Sequence, residues 1–374
     1  MKAIINGRLV TPEGIKDQQV LVFDETIVAI SEDVPNHCEI IDAKGLIVSP
    51  GLIDVHIHGS CGYDVMDHEV EAIKTISRGI AKNGVTSFLP TTMTMHETKI
   101  KKALACIQSC MGKDLEGATV LGAHLEGPFI NKAYKGAQSE TEIIPPSLNV
   151  IQDFLDVIKI ITIAPELEGS LPFIKAIKEK TAITLSMGHT NATYEEAMSG
   201  INEGISHVTH LFNAMTPLTH REPGVVGASL TTDVYTEIIA DNIHISPKLF
   251  PYILHNKGYD KVILITDSMR AGCMENGIYD LGGQDVYVKD GVARLKSGSL
   301  AGSVLTLNQA IKNVLQTTNA PIDKVIQMAS LNPAKTIGMD AQKGSLMIGK
   351  DADIALFDEA FNCHATFVKG KRVY

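Results

Sequence analysis

Residues 50–59 read Pro50-Gly-Leu-Ile-Asp-Val-His56-Ile-His58-Gly59, a short apolar segment that ends in two histidines one residue apart. Successive side chains of a strand point to opposite faces, so His56 and His58 face the same way, together with Asp54. Two imidazoles at the end of a buried strand can hold a transition-metal ion. Two histidines with this spacing also occur in strands that bind no metal. The rest of the chain therefore decides between a metal site and an ordinary strand.

Seven further apolar segments follow this one, and helical patterns lie between most of them. The predicted strands are Leu52–His58, Ser87–Thr91, Val120–Leu125, Ile160–Ala164, Thr184–Met187, His207–Leu211, Glu237–Ala240 and Val262–Thr266. The predicted helices are Val70–Asn83, Glu97–Met111, Leu171–Lys180, Ala192–Gly200, Pro247–Lys257, Thr306–Thr317 and Ile322–Ser330. Eight strands separated by helices predict an α/β fold, a parallel (β/α)8 TIM-like barrel. A doubly wound open sheet is the competing topology, and it would not arrange the strand ends in a full circle.

Both ends of the chain read as short strands and turns without helical periodicity. Asn6-Gly7 predicts a hairpin turn, and residues 344–353 have turn chemistry before two further strands. We therefore predict two domains. One is a small β-sandwich formed by residues 1–49 and 344–374, and the other is a catalytic barrel of residues 50–343.

The composition limits the classes of partner. The 374 residues carry a net charge of −10 without a lysine or arginine block, which argues against nucleic acid. No apolar run is long enough for a membrane span, and the first residues lack the apolar core of a signal peptide. The six scattered cysteines predict reduced thiols, so we expect a cytoplasmic protein. An anionic substrate would need a local cationic group.

Residues that can bind a metal recur at the ends of the predicted strands, where a barrel places its active site. Four imidazoles and two carboxylates suit zinc, iron or manganese with open coordination positions. The six residues are His56, His58, Glu126, His189, His210 and Asp267. Glu126 can bridge two ions, one shared with His189 and His210 and the other held by the first histidine pair. Asp267 can accept a proton and pass it to a leaving group, although a structural cap after the strand also fits it.

Several longer sequence motifs occupy these strand ends and the loops beside them. They are Pro50–Gly59, His124-Leu-Glu-Gly-Pro-Phe129, Gly188-His-Thr-Asn-Ala192, His210-Leu-Phe-Asn-Ala-Met215, Arg221-Glu-Pro-Gly224, Leu300-Ala-Gly-Ser303 and Gly349-Lys-Asp-Ala-Asp353. The first resembles the opening strand of the amidohydrolase superfamily. Together the motifs resemble its N-acetylglucosamine-6-phosphate deacetylase family over nearly the whole chain.

This resemblance implies a metal-dependent hydrolase. The reaction would convert N-acetyl-D-glucosamine 6-phosphate to D-glucosamine 6-phosphate and acetate, in amino-sugar catabolism and cell-wall sugar recycling. Glu126, His189 and His210 would hold the metal that all members share, and Asp267 would be the general acid/base. Because this chain keeps both His56 and His58, the resemblance implies one or two divalent ions per subunit.

The resemblance also implies a set of substrate contacts. They are Ala137, Gln138, Asn213, Ala214, Arg221, His244, Leu300, Ala301 and Gly302. Arg221 would bind the phosphate, and in a homodimer it would reach the neighbouring subunit's site. Gln138 stands where some members have a histidine that polarises the acetyl carbonyl, and its amide can donate a hydrogen bond but carries no charge.

Three alternatives stay open at the level of the sequence. The same chemistry could act on the galactosamine epimer or on an N-acyl amino acid. A barrel that has lost catalysis and serves as a binding protein is the third, but such a protein would have lost ligands, and here every position is filled. Relatives that use a carbamylated lysine at the fourth strand do not fit, since that strand ends in Ala164-Pro165-Glu166.

Overall fold

The computed structural model describes residues 1–374, and its centre is a barrel of eight parallel strands. Neighbouring strands pair in chain order from the first to the eighth. The strands are Leu52–Ile57, Val85–Thr92, Ala123–Glu126, Ile158–Ile163, Thr184–Met187, His207–Val208, Tyr235–Ile239 and Val262–Ile265, with Thr119–Val120 preceding the third. The predicted (β/α)8 barrel is confirmed.

The barrel closes where the eighth strand meets the first. The backbone N–H of Asp267 donates to the carbonyl of His56 at 2.9 Å, and that of His58 donates to Ser268 at 2.9 Å. The closure therefore joins the segment that carries the histidine pair to the segment that carries Asp267.

Helices surround the barrel and bury their apolar stripes on it. In the first helix the buried residues Ile73, Ile76 and Ile80 recur every three or four positions, as an amphipathic helix requires. The helices are Val70–Ala81, Glu97–Cys110, Leu148–Ile151, Ser170–Lys180, Tyr194–Glu203, Gly224–Thr231, Phe250–Lys257, Leu307–Thr317, Ile322–Met328 and Leu331–Thr336. Short 3-10 turns cover Val65–Asp67, Lys132–Tyr134, Glu140–Glu142, Gln152–Phe154 and Pro247–Leu249.

The two ends of the chain share one eight-stranded sheet. Its strands are Lys2–Thr11, Gly14–Phe23, Ile27–Ser31, Glu39–Asp42, Ile47–Pro50, Ile354–Phe357, Cys363–Val368 and Lys371–Arg372. Lys2–Thr11 pairs with Gly14–Phe23 on one side, and with both Glu39–Asp42 and Ile47–Pro50 on the other, so the sheet branches there. Thirteen buried residues form its separate core. The small β-domain from both termini is confirmed, whereas the domain boundaries at 49/50 and 343/344 stay a prediction.

The hairpin predicted at Asn6-Gly7 is wrong. The chain runs straight through these residues as one strand, and the turn to the next strand comes after Thr11. Asn6 alone has a positive φ, of 56°, and the register shifts beside it, which describes a bulge rather than a two-residue turn. The Asn6 side chain donates to Asp42 Oδ1 at 3.0 Å, which fixes it to the neighbouring strand.

A three-stranded antiparallel sheet follows the eighth barrel strand, and the sequence analysis did not predict it. Its strands are Gly277–Leu281, Gln284–Lys289 and Val292–Leu295. It packs its apolar face on Met93 and Met269 beside the mouth of the barrel. The Gln284 side chain donates to the carbonyl of Ala137 at 2.6 Å, so this sheet also holds the loop that carries Gln138. A shorter hairpin, Gly59–Ser60 with Tyr63–Asp64, follows the first barrel strand.

None of the helices combines the length and the apolar character that crossing a membrane requires.

Candidate metal centre

Three strand ends bring Glu126, His189 and His210 together. Glu126 is the last residue of the third strand, and the two histidines follow the fifth and sixth strands by two residues each. Glu126 Oε1 lies 3.2 Å from His189 Nε2 and 3.1 Å from His210 Nε2, and the two ring nitrogens are 3.1 Å apart. All three side chains are buried. The three donor atoms therefore form a nearly equilateral triangle, and one face of this triangle is open.

This triangle fits a divalent metal ion. Zinc bound at ordinary distances in a tetrahedron places its ligand atoms about 3.3 Å from one another. His189 Nδ1 lies 2.9 Å from the carbonyl of Tyr134, so it donates there and leaves Nε2 directed at the triangle. Three ligands on one side also leave coordination positions for water and substrate.

The histidine pair of the first strand forms a second group on the same glutamate. His56 Nε2 lies 3.2 Å from Glu126 Oε1, and His58 Nε2 lies 3.2 Å from Glu126 Oε2. The first of these ring nitrogens is fully buried and makes no hydrogen bond. His58 Nδ1 donates to the carbonyl of Thr91 at 3.2 Å, which again leaves Nε2 for an ion. Asp267 Oδ1 is 3.3 Å from His58 Nε2 and completes this group.

The backbone is strained where these residues lie. His189, His210 and Asp267 have φ values of 48°, 29° and 49°, which L-residues seldom adopt. Such strain costs about 1–3 kcal/mol a residue and persists only where the surrounding structure fixes it. Hydrogen bonds from Asn131 to the carbonyl of His189 and from Ser303 to that of Asp267 supply part of this fixation.

Gly127 shows why the residue after Glu126 is a glycine. Its φ is 75°, and a Cβ atom there would lie 2.0 Å from Thr94 Oγ1. Any side chain would therefore push the Glu126 segment away from its neighbours.

Opposite charges outweigh burial in this cluster. Burial lowers the pKa of His58, but hydrogen bonds with Asp267 and Glu126 raise it to about 10. Burial raises the pKa of Asp267, but His58 and His56 bring it down to about 2. Burial likewise raises the pKa of Glu126, and His56 and His189 hold it well below its usual range. The negative charge that favours protonated imidazoles also favours a divalent cation in place of the protons.

Gln138 lies against the carboxylate of Glu126. Its Nε2 donates to Glu126 Oε2 at 2.6 Å, and its Oε1 accepts from the backbone of Thr94 at 2.7 Å. The second bond fixes which end of the amide is the donor. The side chain is buried at the floor of the pocket, so its amide group faces the candidate metal centre.

A cavity of about 330 Å³, the size of a small-molecule site, opens above these groups. Twelve predicted site residues line it: His58, Glu126, Ala137, Gln138, His189, His210, Asn213, Ala214, His244, Asp267, Leu300 and Gly302. His56 and Ala301 lie buried behind the lining. No lysine or arginine lines the cavity, and Arg221 is exposed on a loop outside it.

Sequence reasoning missed five residues at this site. Met93, Gly136, Phe212 and Leu281 line the cavity, and Glu237 lies buried beneath it. The apolar residues carry no chemical signal in the sequence. Glu237 does, because it is the one charged residue in the apolar segment Tyr235–Ile239.

The sequence model of the amidohydrolase family matches residues 47–373 of this chain. The chain belongs to the amidohydrolase family. Two curated members are similar over nearly their full length. The N-acetylglucosamine-6-phosphate deacetylase of Bacillus subtilis strain 168 is 38% identical over 369 residues, which cover 96% of this chain and 93% of that protein. The N-acetylgalactosamine-6-phosphate deacetylase of Escherichia coli O157:H7 is 34% identical over 97% of both chains.

A solved amidohydrolase structure extends the likeness to three dimensions. The crystal structure of N-acetylglucosamine-6-phosphate deacetylase from Pasteurella multocida superposes with a TM-score of 0.94, at 34% identity and over 99% of both chains. The barrel and the small terminal sheet therefore both belong to an arrangement seen by experiment.

Proposed function

We propose that this protein hydrolyses the acetamide of N-acetyl-D-glucosamine 6-phosphate and releases acetate and D-glucosamine 6-phosphate. The observation that carries the proposal is the triangle of Glu126, His189 and His210, which opens into a cavity of sugar size. The similarity to deacetylases of this sugar phosphate over nearly the whole chain supports it.

The triangle would hold one divalent ion, and His56, His58 and Glu126 would hold a second. Zinc, iron and manganese all suit imidazole and carboxylate donors. Such an ion lowers the pKa of water and polarises a carbonyl group, which is the chemistry that amide hydrolysis needs.

Asp267 would move the proton. The positive charge of the neighbouring histidines, or of an ion bound in place of their protons, would keep Asp267 a carboxylate that can accept a proton from the attacking water. Asp267 would then deliver that proton to the amine nitrogen as the C–N bond breaks. Asp267 borders the cavity in which the water and the amide would both lie.

The remaining predicted contacts would bind the sugar. Gln138 would donate to the acetyl carbonyl with the amide hydrogen that Glu126 does not take. The carboxylate of Asp241 fixes the orientation of the His244 ring, because the ring Nδ1 donates to Asp241 Oδ2 at 2.7 Å. The other ring nitrogen, Nε2, would then be available to a sugar hydroxyl. Asn213, Ala214, Ala137, Leu300, Ala301 and Gly302 would complete the wall.

The phosphate needs a cation that the cavity lining does not supply. Arg221 is exposed and forms no salt bridge within its own chain. We therefore propose a homodimer in which Arg221 binds the phosphate in the neighbouring subunit's site through its planar guanidinium group. All six cysteines are free, which fits the proposed cytoplasmic location.

The test is acetate release from N-acetylglucosamine 6-phosphate by purified protein whose metal content has been measured. We expect turnover that a chelator abolishes and that zinc, manganese or iron(II) restores. Protein that keeps full turnover after complete removal of metal would refute the metal-dependent reaction.

A matched substrate panel separates the remaining alternatives. The 6-phosphate of N-acetylgalactosamine tests the C4 epimer, which is the substrate named for the relative from Escherichia coli. Unphosphorylated N-acetylglucosamine tests the phosphate, and an N-acetyl amino acid tests the substrate class. We expect the glucosamine phosphate to give the highest kcat/KM, and a higher value for another substrate would replace it as the assignment.

A further inference from the structure

Glu237 is a fully buried carboxylate that the proposed reaction does not use. It lies in the seventh barrel strand, and its side chain points into the barrel below the metal centre. Burying a charge without strong partners costs several kcal/mol, so its contacts need an explanation.

One oxygen of Glu237 contacts both candidate ion sites. Oε2 lies 3.0 Å from His56 Nδ1 and accepts the backbone N–H of His210 at 3.1 Å. His56 belongs to the second ion site and His210 to the first. The other oxygen, Oε1, makes no hydrogen bond and lies 3.8 Å from His207 Nε2.

The contact with His56 fixes the ring in the state that a metal ligand requires. Because Nδ1 donates to the carboxylate, Nε2 is the ring nitrogen left to bind an ion, and it faces Glu126. A hydrogen-bonded carboxylate also makes the imidazole a stronger donor to the ion. By contrast, His210 meets Glu237 only through its backbone, so its ring gains nothing of this kind.

A third ion site at this place does not fit. Donor atoms of His56, His124 and Glu237 lie within 4.8 Å of one another. However, His124 uses both ring nitrogens, one against the carbonyl of Val55 at 3.0 Å and the other against Thr162 Oγ1 at 2.7 Å. No free ligand atom of His124 is left for a cation.

We propose that Glu237 is a positioning residue that sets the affinity of the second ion site through His56 and thereby decides whether the site holds one ion or two. This inference rests on the metal-binding part of the proposed function. It assigns Glu237 no contact with the substrate. The carboxylate acts on the second ion through a charge-assisted bond to a ligand ring, and on the first ion only through a backbone bond that a neutral acceptor can keep.

The experiment is a cobalt(II) titration of metal-free protein, followed by visible absorption and by direct ion counting. Glu237→Gln keeps the shape and a carbonyl acceptor but removes the charge, and Glu237→Ala removes both. Asp54→Asn is the matched control, because Asp54 is also a buried barrel carboxyl and contacts His56 only through its backbone.

We expect wild-type protein to bind two ions. In Glu237→Gln the Kd of the weaker site should rise about 10- to 100-fold, as for other supporting partners of metal ligands, while the tighter site is unchanged. Glu237→Ala should weaken the second site further, so that glutamine gives partial rescue. Asp54→Asn should leave both sites as in the wild type. If Glu237→Ala does not fold, the glutamine variant carries the test by itself.

Equal weakening of both sites, or an unchanged second site in Glu237→Gln, would overturn the proposal. Wild-type protein that releases acetate with only one bound ion would also overturn it and leave the proposed function intact. Conversely, protein that binds two ions and loses the second in Glu237→Gln, yet releases no acetate, would refute the function and keep the role of Glu237.

Discussion

Asp267 shows how much a single residue depends on its backbone. Its φ of 49° turns the side chain out of the end of the eighth strand and toward the histidine pair. Its N–H donates to His56 and its carbonyl accepts from Ser303 at 2.7 Å, so neighbouring segments hold it in this conformation. A carboxylate in this position fits the proposed proton transfer and would also favour a cation beside the histidine pair.

We predict that Asp267→Asn lowers kcat by about 100- to 10,000-fold, the usual contribution of a general acid or base. Asparagine keeps the size of the side chain and its tolerance of positive φ, so the fold should survive. The measurements are acetate release, ion content and thermal unfolding on the same preparation. Asp233→Asn, at a surface position whose side chain is 89% exposed, is the control and should behave as wild type. Turnover within a few fold of the control would show that Asp267 is not the general acid or base of the reaction.

At the scale of elements, Lys343 holds together the segment that precedes the last strands of the terminal sheet. Its ammonium group is buried and lies 2.8 Å from Asp351 and 2.7 Å from Asp353. Asp353 in turn accepts the backbone N–H of Lys369 at 2.9 Å. The lysine therefore ties the segment before the last strands to the sheet that those strands complete.

We predict that Lys343→Met lowers the free energy of unfolding by about 3–5 kcal/mol, because it leaves the buried carboxylate of Asp353 and the partly buried one of Asp351 without their partner. Burial lowers the pKa of Lys343, but Asp353 and Asp351 raise it above 10.5, so its contribution is fully present at neutral pH and is lost only as the pH rises through that raised value. Urea unfolding measures the difference. The control Lys371→Met removes an ion pair whose lysine side chain is 57% exposed and should cost at most about 1 kcal/mol. Equal losses in the two variants would contradict this role of Lys343.

The elements also show where sequence reasoning succeeds and where it does not. The barrel strands were predicted to within a few residues, because buried strands are short apolar runs whose ends carry polar residues. The strands at 277–295 were missed, although Gly282-Gly283 and Asp290-Gly291 mark two hairpin turns. Glu237 was missed because its signal is one charge in an apolar run, and its partners come from other strands. Only the closed barrel brings His56 and His210 to the same oxygen.

At the scale of the whole molecule, charge poses a problem for a phosphorylated substrate. The chain carries a net charge of −10, and the candidate site adds carboxylates of its own. Two copies related by a twofold axis would solve it if each gave Arg221 to the other's site.

We predict that mixing Asp267→Asn and Arg221→Ala protein restores activity after subunit exchange, when it is assayed at a low substrate concentration at which neither variant alone turns over appreciably. If Arg221 acts across the interface, every mixed dimer has one site with both changes and one intact site, so random exchange recovers about a quarter of wild-type activity. If Arg221 acts within its own chain, no intact site forms and no activity returns. Sedimentation of the mixture confirms that dimers are present, and Arg221→Ala by itself should raise KM for the phosphorylated sugar.

The shared terminal sheet has a consequence for the order of events during synthesis. Ile47–Pro50 pairs with Ile354–Phe357, and Lys2 Nζ donates to the carbonyl of Gly370. Ribosomes add about 5–20 residues a second, so the first strands emerge roughly 15–60 s before their partners exist. During that interval the apolar face around Leu21 and Phe23 has no cover from the last strands. The terminal sheet can therefore be completed only after the last strands have been synthesised, which makes its closure a late event in folding.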